Sequence, residues 1–309
     1  MWRVTEVNPV QEKIVELKKK SNAVILAHTY QPPEIQDIAD YVGDSYGLSV
    51  QASRASADTI VFCGVRFMAE TASILNPSRR VILPEADAGC PMADMIEADD
   101  LIKLKEQYPD YLVMCYVNST AEIKALSDVC CTSSNALKIA RKLPVDKGII
   151  FVPDRNLGSY VQEQTGREMV LWDGFCPTHM RIEPSMIIQA KKDFPASMVL
   201  IHPEASPECR ILADKVFSTG EMCEFVSKSE HQEFIIATEE GIMHTVGQAN
   251  PQKLFHLLSS ELRCPNMKKI TLQSVCNALD GSGGEVIHVQ EDIAAKALSS
   301  LEKMLQMSK

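Results

Sequence analysis

Short apolar runs alternate with amphipathic stretches along this chain, and the alternation repeats three times. Ala23-Val24-Ile25-Leu26-Ala27 reads as a buried parallel strand ending in His28. Tyr111 to Cys115 is the next such run, ending in Tyr116, and Met198-Val199-Leu200-Ile201 is the third, ending in His202. His28, Tyr116 and His202 stand 88 and 86 residues apart. Asp40, Asp128 and Asp214 keep the same register, as do Ser45, Ser133 and Thr219. Second strands are predicted at Thr59–Cys63, Gly148–Val152 and Glu233–Ala237, and third apolar runs at Val81–Leu83, Met169–Leu171 and Lys253–Leu258.

Self-similarity at a fixed period signals repeated structural units. Strands alternating with amphipathic helices give parallel sheets covered on both faces. The expected fold is therefore α/β: three small αβα domains with parallel sheets, related by a pseudo-threefold axis around a central site. The expected units are residues 1–105 with an N-terminal helix, 106–193 and 194–288, followed by a C-terminal helix at 289–309 that packs back on the body. Asn8-Pro9 reads as the start of the first helix, with Glu12 early and Lys18-Lys19-Lys20 late to suit its dipole. In the last helix Ile293, Ala297, Leu301, Met304 and Leu305 share a face. Gly281-Ser282-Gly283-Gly284 reads equally as a mobile loop or a plain turn. Asp40, Asp128 and Asp214 are expected inside helices, in a shared capping or packing role.

Composition adds exclusions. The 309 residues are 45% hydrophobic and 23% charged, enough apolar surface for more than one core. Net charge is −10, without a basic stripe to track phosphates, which argues against nucleic acid as a partner. No apolar run approaches the roughly 20 residues that span a bilayer. No apolar leader is seen at the N-terminus, so the cytoplasm is the expected compartment. In a reducing compartment most of the ten cysteines read as small buried hydrophobes. Cys63 and Cys115 fall in strand-like runs; Cys130-Cys131, Cys209, Cys223 and Cys276 are expected in helix-like segments.

Ligands of open α/β sheets gather beyond the carboxyl ends of the strands. The repeat places His28 and Tyr30, Tyr116 and Asn118, and His202 and Glu204 there. Gly43-Asp44-Ser45, Thr132-Ser133-Ser134 and Ser218-Thr219-Gly220 follow at helix starts, where free N–H groups and a hydroxyl suit a carboxylate or phosphate. One such hydroxyl is more often a plain cap. Three in register, aimed at one axis, favour a binding site.

Three cysteines form a further set. Cys90-Pro91, Cys176-Pro177 and Cys264-Pro265 each follow an apolar run, 86 and 88 residues apart. The proline is expected to fix φ after the cysteine and to open a helix. No C-x-x-C or ferredoxin-type run is present, so any metal site is assembled from distant parts of the chain. Three thiolates suit zinc with an open fourth position, or a [4Fe–4S] cluster with one iron left free. Spacing does not choose between them.

Ala27-His28-Thr29-Tyr30-Gln31, Cys90-Pro91-Met92-Ala93, Tyr116-Val117-Asn118-Ser119-Thr120, Pro153-Asp154-Arg155-Asn156-Leu157-Gly158, Cys176-Pro177-Thr178-His179, His202-Pro203-Glu204 and Cys264-Pro265-Asn266-Met267-Lys268, with the hydroxyl turns above, resemble the quinolinate synthase family. The motifs appear in order from about residue 24 to 275. The resemblance implies a [4Fe–4S] cluster on Cys90, Cys176 and Cys264. It also implies condensation of iminoaspartate with dihydroxyacetone phosphate to quinolinate, with release of phosphate and water, in NAD biosynthesis. The implied substrate contacts are His28, Ser45, Tyr116, Val117, Asn118, Ser133, His202, Pro203, Glu204 and Thr219. Tyr30 and Glu204 are the expected proton-transfer groups, with His28 and His202 holding carboxylate or phosphate. An aspartate oxidase or dehydrogenase supplying iminoaspartate is the implied partner. Ala205 stands where family members often carry a cysteine, which leaves no redox pairing there. A zinc lyase or hydrolase with three cysteine ligands, and a non-catalytic small-anion binding protein, are the alternative classes.

Overall fold

The computed structural model describes residues 9–309. The helix start expected at Asn8 lies outside the described residues; helix Pro9–Lys20 carries Glu12 in its first turn and three lysines in its last. The first unit supplies β1 (Ala23–His28), β2 (Tyr41–Gly43), β3 (Thr59–Cys63) and β4 (Arg80–Leu83). The second supplies β5 (Leu112–Tyr116), β6 (Val129–Cys131), β7 (Ile149–Val152) and β8 (Met169–Leu171). The third supplies β9 (Met198–Ile201), β10 (Lys215–Val216), β11 (Glu233–Ala237) and β12 (Leu254–Leu257); β13 (Glu285–Val286) follows.

Each unit forms its own sheet, and the strand order is the same in all three: β4-β3-β1-β2, β8-β7-β5-β6 and β12-β11-β9-β10, all parallel. The order reverses between the first and third strand of each unit, which opens a crevice beyond their carboxyl ends. The α/β class with parallel sheets holds. The second strand of each unit escapes the hydrophobic pattern because it is a short edge; Tyr41 and Val42 of β2 are exposed. Cys130 and Cys131 accordingly lie in β6, not in a helix.

Side chains alternate across the first strands. Ile25 and Ala27 face a core shared with helices Pro9–Lys20 and Leu272–Asp280, while Leu26 faces the central core. Val199 and Ile201 likewise face an outer core, and Leu200 the central one. The glycine-rich stretch is a turn: Gly281, at φ 81°, ends helix Leu272–Asp280, and the chain returns as β13, antiparallel to β4. The end of the span 194–288 thus supplies a layer and an edge strand to the first sheet. Helix Glu291–Met307 packs on helix Ala121–Ala125 and β6, burying Ala297, Leu301 and Met304.

The three aspartates in register share one role, but not from within helices. Asp40 precedes β2, accepts from the Ile25 N–H at 2.8 Å and returns its own N–H to the Ile25 carbonyl at 2.9 Å. Asp128 does the same to Val113 (2.8 and 3.0 Å), and Asp214 to Val199 (2.7 and 3.0 Å). Each side chain extends the ladder where the edge strand has not begun, so a first-strand N–H is not left unpaired. Replacing Asp128 by Ala is expected to cost about 1–3 kcal/mol, the penalty of an unsatisfied buried donor, with Asp128→Asn milder; urea unfolding of the two variants is the check.

Candidate active site

All three crevices open into one cavity of about 140 Å³. Its wall includes His28, Tyr30 and Ser45 from the first unit, Tyr116, Asn118 and Ser133 from the second, and His202, Glu204 and Thr219 from the third. Cys90, Cys176 and Cys264 line it too. Two residues of the expected contact set lie elsewhere. Val117 packs behind the wall with its N–H on the Cys131 carbonyl, and Pro203 offers its carbonyl to Arg210 at 3.4 Å.

The strand-end histidines are set alike. His28 Nδ1 accepts the Tyr30 N–H at 3.1 Å, and His202 Nδ1 accepts the Glu204 N–H at 3.3 Å. A backbone N–H only donates, so Nδ1 is unprotonated in both rings and Nε2 carries the hydrogen. Burial holds His28 down to about 4 and His202 to about 3, so both are neutral N–H donors near pH 7.

The hydroxyls are not the caps. Asp44 caps helix Ser45–Arg54 by accepting from Gly47 N–H at 2.8 Å, and Ser218 caps helix Thr219–Lys228 in a capping box with Glu221. Ser45 and Thr219 therefore sit at the first helical position. Ser133 lies in the turn before helix Ala136–Lys142, whose lead-in is held by Thr132 N–H on Asn135 Oδ1 at 2.6 Å. At the axis the three turns touch: Ser134 Oγ donates to Asp44 Oδ2 and lies 3.0 Å from Ser218 Oγ. A Cβ at Gly220 would come within 2.6 Å of Asp44 Oδ2, which is why glycine stands there.

The cysteine turns are also set alike. Arg66 N–H donates to the Ala88 carbonyl, Arg155 to Gly174 and Glu240 to Leu262, each at 2.8 Å, so every cysteine turn is tied to the loop after the third-position strand. No long helix opens at the prolines; the chain makes tight turns instead, with only the short 3-10 helix His179–Arg181 after Cys176. The N–H groups past each proline turn toward sulfur: Met92 and Ala93 to Cys90, His179 to Cys176, Asn266 and Met267 to Cys264. Burial pushes all three thiols up, Cys90 to about 12, so a bound cation must displace their protons.

Four residues outside the sequence-predicted set complete the site. His179 Nδ1 meets Glu204 Oε2 at 2.7 Å and Cys176 Sγ at 3.3 Å, and its Nε2 meets Thr238 Oγ1 at 2.8 Å. The ring stacks on His202 at 4.6 Å. Glu239 accepts the Cys264 N–H at 2.9 Å and pairs with Lys268 at 2.8 Å, which reaches the Tyr30 carbonyl at 2.5 Å. The one signal was that His179 and Lys268 fall within the stretches that follow Cys176-Pro177 and Cys264-Pro265; Thr238 and Glu239 had none.

Glu204 is acceptor to His179 and to Tyr116 Oη at 2.6 Å. Burial pushes its carboxyl up, but the imidazoles of His202 and His179 and these hydrogen bonds outweigh it and hold the group well below its usual range. An ionised Glu204 only accepts, so His179 Nδ1 is the donor in that contact. With a neutral His179 ring, Nε2 accepts from Thr238, Thr238 Oγ1 then accepts from Tyr30 at 2.7 Å, and Tyr30 from Thr219 at 2.6 Å. Burial keeps both tyrosines protonated. Asn118 Oδ1 is buried on the cavity side without a hydrogen-bond partner.

Because His28 is neutral when folded and takes up a proton near 6.5 when unfolded, its contribution is constant above pH 6.5 and is lost as pH falls toward 4. The loss approaches about 1.4 kcal/mol per pH unit. Between pH 7 and 5, His28→Gln is expected to lose up to about 2 kcal/mol less than the parent, measured by urea unfolding at both pH values.

Comparison with known proteins gives one answer. The family described as "Quinolinate synthetase A protein" matches residues 12–306. The chain is 50% identical over 304 residues to a quinolinate synthase of Caldicellulosiruptor saccharolyticus, covering 98% of this chain and 100% of that one. It is 47% identical to one of Dehalococcoides mccartyi strain CBDB1 (96% and 98% covered) and 48% to one of Thermodesulfovibrio yellowstonii (97% and 99%). With the cavity, the cysteine turns and the histidines on one wall, the chain belongs to the quinolinate synthase family of enzymes.

Proposed function

We propose that the chain condenses iminoaspartate with dihydroxyacetone phosphate to quinolinate, releasing phosphate and water, and that Cys90, Cys176 and Cys264 hold a [4Fe–4S] cluster for it. Three thiols on one cavity wall, each facing backbone N–H groups, are a donor set that fits such a cluster. Their sulfurs do not close on a single ion: among the described residues the trio of ligand atoms within 4.8 Å of one another is Cys176, His179 and Glu204. That favours the cluster over zinc on three cysteines. When bound, the cluster supplies an iron without a protein ligand, a Lewis acid toward a hydroxyl or carboxylate oxygen.

The observation that carries the reading is the hydrogen-bond chain Thr219–Tyr30–Thr238–His179–Glu204, which runs through all three units to the cavity. The Nε2–H groups of His28 and His202, with the hydroxyls of Ser45 and Ser133, offer donors to carboxylate or phosphate oxygens, and Thr219, whose hydroxyl is engaged with Tyr30, lines the wall beside them. Asn118 Oδ1 accepts a hydrogen from substrate. Glu204 is the base that takes a proton from the condensed intermediate, and His179 and Tyr116 hold its two oxygens in place. Tyr30, kept protonated by burial and linked to Glu204 through Thr238 and His179, is the acid. The buried, partly apolar wall limits water, which would otherwise hydrolyse an imine. Iminoaspartate is short-lived, so an aspartate oxidase or dehydrogenase is the proposed supplier.

Glu204→Gln is expected to lower kcat at least about 100-fold with KM within about threefold. Unchanged turnover would remove Glu204 from the mechanism. Anaerobically purified parent protein should be brown with iron and sulfide bound, and Cys176→Ser should fold, lose the colour and be inactive; a fully active colourless variant would sink the cluster assignment.

A further inference from the structure

A second way of holding metal is built into the same wall. Cys176 Sγ, His179 Nδ1 and Glu204 Oε2 form a compact trio, with Nδ1 at 3.3 Å from the sulfur and 2.7 Å from the oxygen, and all three ligand atoms within 4.8 Å of one another. One thiolate, one imidazole and one carboxylate are a zinc-type donor set, and small outward shifts bring them to ordinary zinc distances. All three residues line the cavity, which gives an entry path and leaves a fourth position open to it.

The outer contacts are those a metal centre needs. A ligating histidine donates its other ring N–H to an acceptor, and His179 Nε2 has Thr238 Oγ1 at 2.8 Å for that purpose. The carboxylate oxygen left over, Glu204 Oε1, is held by Tyr116 Oη at 2.6 Å. We propose that Cys176, His179 and Glu204 form a mononuclear site for a borderline divalent cation of the zinc class, which excludes the cluster from Cys176 and arrests the enzyme.

Binding is balanced as follows. Zn²⁺ displaces the Cys176 S–H proton, which leaves to solvent. A neutral His179 moves its proton from Nδ1 to Nε2, and Glu204 enters already ionised. One proton is released per ion. The tautomer shift also reverses the hydrogen-bond chain: His179 then donates to Thr238, Thr238 to Tyr30 and Tyr30 to Thr219. Glu204 is occupied and its link to Tyr30 runs backwards, so inhibition follows from the geometry. Zinc outcompetes ferrous iron for such a donor set, which makes the order of loading matter. The binding claim stands on these side chains alone; the exclusion claim rests on the cluster reading above.

The full-length protein, freed of iron and kept anaerobic, is titrated with Co²⁺ as a visible probe, and Zn²⁺ then displaces it. The expected result is one Co²⁺ per chain, with thiolate charge-transfer absorption, tetrahedral ligand-field intensity and one proton released. His179→Ala is expected to weaken binding at least about 100-fold, and Thr238→Val about 10-fold. Cys90→Ser and Cys264→Ser should stay within about threefold of the parent. Binding that survives His179→Ala, or that is lost in Cys90→Ser, overturns the proposal, as does the absence of stoichiometric uptake by correctly folded parent protein. A second arm reconstitutes iron and sulfide with and without one equivalent of Zn²⁺. Suppression by zinc supports the exclusion claim, and equal cluster yields overturn it. Failure of reconstitution in both conditions would instead count against the cluster reading, with the titration still deciding the zinc site.

Discussion

A carboxylate stays ionised in a buried cavity only if its oxygens are held, and Glu204 is that carboxylate here. Its two oxygens take hydrogen bonds from Tyr116 and His179, both brought from the second unit to a residue of the third. His179 in turn ties that charge to a chain of hydroxyls behind it. Thr238, Tyr30 and Thr219 continue the chain, and with a neutral His179 each passes its hydrogen toward the carboxylate.

The threefold plan makes this meeting of side chains possible. Three sheets with one strand order deliver three crevices, and the aspartates that extend each ladder keep the first strands of all three in the same geometry. The backbone contacts that seat the cysteine turns are likewise threefold, at the same 2.8 Å. The plan is then broken where chemistry needs it broken. After the third-position strands the equivalent residues are Val65, Asp154 and Glu239, and only Glu239 has a lysine partner, Lys268. That ion pair joins the Cys264 turn to the backbone of Tyr30, so a proposed cluster ligand and the proposed acid are held by one buried contact.

Neutral histidines fit the same logic. A charged imidazolium at His28 or His202 would bind an anion more strongly, but burial disfavours that charge. The fold supplies oriented N–H donors instead. The hydroxyl of Ser45 is left for a ligand and that of Thr219 for Tyr30, because Asp44 and Ser218 do the capping.

The sequence by itself determined the period, the long strands and the residues at their ends, because a buried parallel strand must be apolar and the chemistry must stand just beyond it. It also carried the family, which the comparison bears out. The edge strands β2, β6 and β10 were not legible, since a two- or three-residue strand with one open side leaves no periodic signal. The helical character around Cys276 was legible, but that helix Leu272–Asp280 and β13 return to the first sheet was hidden, because such a crossing depends on contacts far apart in the chain. Only the tertiary structure decided that His179 would stand between Cys176, Glu204 and Thr238, and that Val117 and Pro203 would stay off the wall. Register says which residues are equivalent. Which equivalent residue touches which is settled when three units pack on one axis, and there the copies no longer need to agree.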